Sequence, residues 1–322
     1  MSEMRAFAWH DLISLYRYRN QILTMDSATM LTHGNPLGPT AILTYLNPAN
    51  DSFTGVAPDP DGGPALIGQI RYNPGSQSAC LSYLLPEEAC DSSKLPSLIE
   101  GLCRKAAEWG ALQLLAEVDE RDLAFKVLRR AGLSVYAHQR IWQYAPSTDI
   151  PGEVDPCKGQ GAWDAITSLD EIPVRSLYHS LIPPLIQRAQ PLPGLSPGGL
   201  VYRQDGEVLA YVESMVGPQG IFLQPLVHPA VDNVSSLIGN LPKCFEPLHN
   251  RPIYMVVRSY QAWLETALEK LKAKPGSKQA LMVKHMTVIQ WAAPAVMRIH
   301  GLDGTKIERS AAPVVQSYTY DN

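Results

Sequence analysis

The order of elements between Ala79 and Arg130 returns between Gly220 and Leu271, and a chain built on that repeat has few folds open to it. In the later copy, Ile221, Phe222, Leu223, Leu226 and Val227 read as a strand that stops at Pro229. A weak helix is expected from Asp232, a second apolar strand from Ile253 to Val257, and an amphipathic helix from Tyr260. In the earlier copy the first strand ends at Leu85-Pro86 and the second at Val118, and each again leads into a helix. One recurrence of this length implies a duplicated domain and not a solenoid.

The flanking segments fill out both copies. Met4 to Trp9 reads as a short strand, Asp11 as the cap of a helix over Leu12 to Gln21, and Asp26 to His33 as a second helix. Thr40 to Leu46 reads as a strand and Asn47 to Gly63 as a loop. Ala65 to Tyr72 and Gln77 to Leu85 should pair as a hairpin across Asn73-Pro74-Gly75-Ser76. A helix is expected from Ser92 or Leu95 to Trp109, with Asp91 or Ser92 as its cap. Ala111 to Val118 has the continuous apolar run of a strand covered on both faces. The next helix opens at Asp119 or Glu120, buries Leu123, Ala124, Val127, Leu128 and Ala131, and ends at Gly132. Leu133 to Tyr144 supplies one strand or a hairpin.

Ala145 to Gly161, rich in Pro and Gly and without apolar periodicity, is the expected boundary. Beyond it come a strand (Ala162 to Ser168), a helix (Asp170 to Ser180), a Pro-broken segment (Ile182 to Gln190) and a loop (Pro191 to Gly199). The strands Leu200 to Arg203 and Val208 to Val216 flank an Asp205-Gly206 turn. Lys274-Pro275-Gly276-Ser277 reads as a turn into a last strand, Gln279 to Val288. The predicted organisation is a domain over 1–145, a linker over 146–160, a domain over 161–293 and a tail over 294–322.

Composition narrows the functional classes. With 322 residues, 45% of them hydrophobic, the chain can bury a large core. A formal net charge of −4 gives no footing for a nucleic-acid or anionic-membrane partner. The five cysteines are scattered, without a CxxC pair, so neither a zinc site nor a disulfide framework is expected. No signal peptide is expected at the N-terminus, and no apolar run approaches the roughly 20 residues of a membrane helix. No metal is expected, and the expected location is the cytoplasm.

Two stretches carry a resemblance. LQLLAEVDERDLAFKVLRRAGLSVY in the first half, and GIFLQPLVHPAV followed by IYMVVRSYQAWL in the second, resemble the GNAT acyltransferase superfamily in tandem. The resemblance covers roughly 4–144 and 160–290. It implies an α/β fold of two GNAT-like domains. Each would hold a mixed, mostly antiparallel sheet flanked by helices, with one splayed pair of parallel strands. It further implies N-acetyltransferase chemistry, with acetyl-CoA or a related acyl-CoA lying in the splay like a missing strand and an amine as acceptor. In the second half the residues implied for the donor are Leu226 and Val227 at the strand end, and Val234, Ser235 and Ser236 at the start of the next helix.

The motif that should cradle the pyrophosphate is missing in both halves. That family places an Arg/Gln-x-x-Gly-x-Gly/Ala run where the helix N-terminus meets the phosphates. Here the first half has Glu87, Glu88 and Asp91, and the second has Asp232 with no glycine before Gly239. A like charge at about 4 Å costs roughly 4 kcal/mol at intermediate dielectric. The bland alternative is that both loops only cap helices. Acyl transfer also needs a base for the amine and an acid for the thiolate. The family's tyrosine acid is replaced by Leu128 and Leu268. Candidate groups are Glu213 and Glu117 as bases, His228 at a strand end, and Tyr254 as an alternative acid. Each has a plain structural reading as well: Glu213 facing solvent, His228 in a loop, Tyr254 at a strand edge. The runner-up function is a catalytically inactive tandem module that binds a small molecule or a protein.

Overall fold

The computed structural model describes residues 4–38, 51–59, 63–144, 163–192, 198–245 and 251–286. The first half contains β1 (Arg5–Ala6), α1 (Leu12–Tyr18), β2 (Leu23–Thr24), α2 (Ser27–His33), β3 (Ser52–Ala57), β4 (Leu66–Tyr72), β5 (Ser78–Leu85), α3 (Lys94–Glu108), β6 (Gln113–Asp119), α4 (Leu123–Arg130) and β7 (Ser134–Tyr144). The second contains β8 (Trp163–Ala165), α5 (Glu171–Leu181), α6 (Pro184–Ala189), β9 (Leu200–Gln204), β10 (Glu207–Val216), β11 (Ile221–Val227), α7 (Val234–Asn240), β12 (Ile253–Arg258), α8 (Leu264–Lys270) and β13 (Lys274–His285). The expected strand over Thr40 to Leu46, the linker and the tail lie outside the described residues.

All these strands join one mixed sheet, in the order β1-β3-β4-β5-β6-β13-β7-β12-β11-β10-β9-β8, with β2 paired to β5 off that path. The last strand of each half is exchanged. β13 lies between β6 and β7 and is antiparallel to both. β7, which follows α4, pairs with β12 of the other half. The two exchanged strands meet at Gln139 and Gln279, which are direct partners. The flanking pairs, Gln279 with Asp119 and Gln139 with Arg258, are then equivalent. This is a pseudo-twofold arrangement with its axis between the two glutamines.

One sheet face is covered by α3 and α4 in the first half and by α7 and α8 in the second. Leu98, Leu102, Val127, Leu128 and Met282 pack in the first of these cores. Trp142, Leu223, Leu237, Met255 and Leu268 pack in the second. Leu128 and Leu268 are fully buried, as the apolar stripes predicted. The opposite face carries α1, α2, α5 and α6. There the halves interlock. The Gln219 N–H donates to Thr32 O at the end of α2 (2.8 Å), and the Ser78 hydroxyl donates to Ala189 O at the end of α6 (3.1 Å). At Gly217 a Cβ would meet Thr32 O at 2.3 Å, so this contact requires glycine.

Several expectations need correction. Ser52–Ala57 is a strand and not part of a loop, because it pairs with both β1 and β4. Lys274 to Ser277 is not a turn: Lys274 and Pro275 pair with Gln143 and Trp142, and a bulge before Lys278 absorbs the glycine. The turn falls earlier, at Lys272 with φ +57, where the first half uses Gly132 with φ +88. Leu123 opens α4 half-exposed instead of joining the buried stripe. Neither Asp232 nor Asp91 caps a helix. Asn233 caps α7 by accepting from Ser236 N–H at 3.0 Å, and α3 starts after Ser93 without a side-chain cap. Asp91 instead pairs with Arg130 at 2.6 Å.

Strand exchange makes each half depend on the other for its sheet. Leu281 on β13 is fully buried, and Leu281→Ala should cost about 2–5 kcal/mol. The loss should lower one common transition in urea unfolding, read by tryptophan fluorescence and by far-ultraviolet circular dichroism. Two separated transitions, only one of them shifted, would contradict the interlocked sheet.

Candidate functional site

The two parallel pairs splay after a short shared start. β5 and β6 pair only from Ser78–Gln113 to Cys80–Leu115. β11 and β12 pair only from Ile221–Ile253 to Leu223–Met255. Beyond those points the facing backbone groups need other partners, and the halves supply them differently.

In the first half the chain itself fills the gap. β2 pairs with β5 through Leu23–Leu84 and Thr24–Tyr83. Met25 then bridges both walls: its N–H donates to Ser82 O at 2.9 Å, and its carbonyl accepts from Glu117 N–H at 3.2 Å. An intrinsic strand thus takes the place a ligand would need. Lys94, at the start of the following helix, is held by Asp59.

In the second half one side chain fills the gap. The Gln261 carbonyl accepts from Val227 N–H at 2.8 Å, and its amide donates to Pro225 O at 3.2 Å. Gln261 is buried, and it sits in the 3₁₀ turn that precedes α8. A side-chain amide can leave by rotation, whereas β2 cannot leave without unpairing backbone.

Beside this second gap, on the face bearing α5 and α6, lies a cavity of about 660 Å³. A polar row crosses its floor. Glu213 on β10 is the partner of Gln224 on β11, and Gln224 Oε1 accepts from Arg258 Nη2 at 3.1 Å. Arg258 is only 4% exposed, and its Nε and Nη1 are buried without a hydrogen-bond partner among the described residues. Farther along, Gln139 Nε2 donates to Glu117 Oε2 at 3.2 Å and to Gln279 Oε1 at 2.8 Å, and Ser27 N–H donates to Glu117 at 3.3 Å. Tyr136, Tyr178 and Tyr260 complete the polar wall.

Burial governs the protonation of these groups. It pushes the Glu117 carboxyl up, with Arg258 opposing and Asp26 adding to the rise. It pushes Glu213 up as well, again against Arg258. The Tyr178 phenol is raised to about 12 and that of Tyr260 is also raised, so both stay neutral. The Cys80 thiol, accessible from the cavity but surrounded by protein, is raised to about 12 and is a poor nucleophile.

The expected site residues are thereby divided. Glu213 and Leu226 line the cavity, with Glu213 half-buried instead of turned to solvent. Val227 faces the gap through its N–H. Tyr254 lies in a separate, smaller hollow of about 420 Å³, which Glu117 also lines. His228 does not line the cavity: its Nδ1 accepts from Ala230 N–H at 3.1 Å within the loop. Val234, Ser235 and Ser236 do form the first turn of α7, but the Ser236 N–H is already taken by Asn233, and Asp232 beside them accepts from Gln204 at 2.9 Å. This helix start does not suit a diphosphate. The sequence reading missed Arg258, Gln224, Gln261, Tyr136, Tyr178 and Tyr260. Of these, only Arg258 carried a signal, as a charge closing an apolar strand. Among the described residues no cluster of three or more His, Cys, Asp or Glu could hold a metal, and no helix is long and apolar enough to cross a membrane.

No family model matches the sequence, and no curated protein matches it. Solved structures do match in fold. A tandem GNAT protein from the clavulanic acid biosynthesis pathway, solved without AcCoA, aligns with a TM-score of 0.52 at 12% identity, over 88% of this chain and 98% of that one. A GCN5-related N-acetyltransferase from Sphaerobacter thermophilus aligns at 0.49 and 11% identity, over 88% and 95%. A GNAT-family acetyltransferase from Colwellia psychrerythraea aligns at 0.44 and 12%, over 88% and 100%. The chain has the GNAT fold: an α/β architecture with a mixed sheet flanked by helices.

The raised carboxyls set a pH dependence. Glu117 and Glu213 hold their protons to higher pH in the folded chain than in the unfolded one. Folding therefore takes up protons above the ordinary value of 4.5, and stability falls as pH rises through that window. Glu117→Gln keeps an acceptor for Ser27 and Gln139 and removes the charge. Urea unfolding between about pH 5 and 8 should show a flatter stability profile for Glu117→Gln than for the wild type. An unchanged slope would show that Glu117 is not the group responsible.

Proposed function

We propose that the protein is a GNAT-type N-acyltransferase with one working gap, that of the second half. Its donor is acetyl-CoA or a related acyl-CoA, and its acceptor is an amine. The observation that carries this reading is the pair of bonds made by Gln261. An amide bound to Val227 N–H and Pro225 O stands where the strand-like amides of a pantetheine arm would bond, in the manner of β-augmentation. When Gln261 swings away, those two backbone groups face a donor whose thioester reaches the cavity. Glu213, with its carboxyl raised by burial, is a suitable base for the incoming ammonium. Tyr260, kept neutral, is suited to give a proton to the departing thiolate; Tyr254 and His228 lie elsewhere. The phosphates would lie outside the gap, since the start of α7 offers them an acidic neighbour in Asp232.

A second reading keeps the fold without the chemistry: a catalytically inactive tandem GNAT-like module that binds a small molecule or a protein. The first gap, closed by main chain, and the missing glycine-rich run favour it. Calorimetric titration with acetyl-CoA separates the two. The acyltransferase reading expects saturable binding at one site per chain, tightened about tenfold (1.4 kcal/mol) in Gln261→Ala, which no longer has to vacate the gap. No heat from either protein at millimolar acetyl-CoA would leave only the inactive module.

Given donor binding, an amine screen identifies an acceptor. Glu213→Gln should then lower turnover at saturating acyl-CoA by about 10²-fold with an unchanged melting temperature. Equal turnover would remove Glu213 from the chemistry.

A further inference from the structure

Two carboxyls and one guanidinium share the floor of the cavity, and among the described residues no ion pair joins any two of them. Glu213 on β10 has Gln224 on β11 as its direct partner, so their side chains are neighbours on one sheet face. Gln224 Oε1 in turn accepts from Arg258 Nη2 at 3.1 Å. A neutral amide therefore stands between the carboxyl and the cation. Tyr136 on β7 also interacts with this guanidinium, and Glu117 faces it from β6. The rest of the described wall adds no net charge. Asp26, before α2, and Arg71 on β4 pair with each other at 3.3 Å. Burial raises the phenols of Tyr136, Tyr178 on α5 and Tyr260 after β12, so all three stay neutral. It raises the Cys80 thiol on β5 to about 12. Tyr211, beside Glu213 on β10, is the remaining titratable group of this wall. Arg258 thus supplies the positive charge that acts on Glu213 and Glu117.

We propose that Arg258 is a positioning residue for Glu213: its charge, held one glutamine away, keeps Glu213 as a free carboxylate that faces the cavity. Burial works the other way and favours the neutral carboxyl. A direct ion pair would preserve the charge but engage the oxygens that have to take up a proton. The spacer Gln224 avoids both outcomes. A guanidinium suits the task better than an ammonium, because it stays protonated where burial would discharge a lysine. The charge arrangement stands without acyl transfer. Only the further statement, that the Glu213 carboxylate takes one proton from the acceptor ammonium and becomes a neutral carboxyl, rests on the acyltransferase reading.

The test is a pH titration of the full chain without acyl-CoA, isotope-labelled in its glutamate carboxyls and followed by NMR. Glu213→Gln identifies the Glu213 signal by its loss. In the wild type this carboxyl should be ionised at neutral pH, although it titrates above an exposed glutamate. Arg258→Met should move its midpoint upward by about one pH unit or more, since a nearby opposite charge favours the ionised form. Should that variant fail to fold, Arg258→Gln, which keeps donors for Gln224 and Tyr136 and removes the charge, carries the same expectation. The wild-type titration needs no variant at all. A Glu213 still protonated at neutral pH in the wild type, or a midpoint unmoved in a folded neutral variant, would overturn the proposal. Once an acceptor is known, the acid limb of the kcat/KM profile should move upward with the carboxyl in Arg258→Met. A purely structural role would lower the rate at every pH and leave that limb in place. A shifted Glu213 without acetyl-CoA binding would uphold the charge arrangement and remove the acyltransferase; acyl transfer with an unmoved Glu213 would do the opposite.

Discussion

β7 and β13 run antiparallel through the middle of the sheet, and their pairing fixes the position of almost everything around them. Each belongs to one half by chain connection and to the other by its outer edge. The central hydrogen bond between Gln139 and Gln279 joins residues 140 apart in sequence. Closing so long a loop costs entropy that grows only slowly with length. In return both strands gain partners on both edges and bury Trp142, Leu281 and Met282 almost completely. An unexchanged arrangement would leave a sheet edge in each half to be covered by other means. Exchange removes those edges and welds the copies into one sheet.

The same exchange brings the two splayed gaps close to one axis while leaving them unequal. Both open because a parallel pair shares only three residues before diverging. In the first, main chain from β2 and Met25 satisfies both walls. In the second, two bonds from Gln261 satisfy one wall only. Unpairing a strand disturbs several backbone bonds and the packing of Leu23 and Met25 in the core. Rotating a glutamine disturbs two. On the acyltransferase reading, the gap closed by Gln261 is the working one and the first half is its scaffold.

How much of this the sequence could reveal depends on whether the cause is local. The Asp205-Gly206 turn was legible because its left-handed geometry, φ +53 and +85, depends on the two residues themselves. The same holds for the hairpin over Asn73 to Ser76 and for Gly132 as a helix end. The apolar stripes that bury Leu128 and Leu268 were legible from spacing. Pro275-Gly276 misled because a bulge beside β7 tolerates residues that usually make turns. Ser52 to Ala57 was missed because its pairing with β4, not its composition, makes it a strand. Strand exchange left no local mark at all, since the period of β13 is the same whichever strands it joins. The candidate site suffered most. Glu213 and Leu226 were reachable from their strands, but Gln261 reads as an ordinary helix-start residue, and the role of Arg258 depends on strands far away in sequence.

Pseudo-symmetry holds on the axis of the sheet and fails one step away from it. Gln139 and Gln279 occupy equivalent positions on the axis and bond to each other, which a symmetric sheet would favour. One step outward the equivalence fails: Asp119 lies at the rim with a local backbone partner, while Arg258 is buried with two donors unused. Replacing a buried, half-paired cation by an apolar side chain of similar volume is often neutral or stabilising. The core around β12 is already rich in such residues: Met255, Val256 and Val257. The arginine at this place instead sets its charge against Glu117 and Glu213, opposing the rise that burial imposes on both carboxyls, so the three buried groups hold one another's charge in balance beneath the cavity.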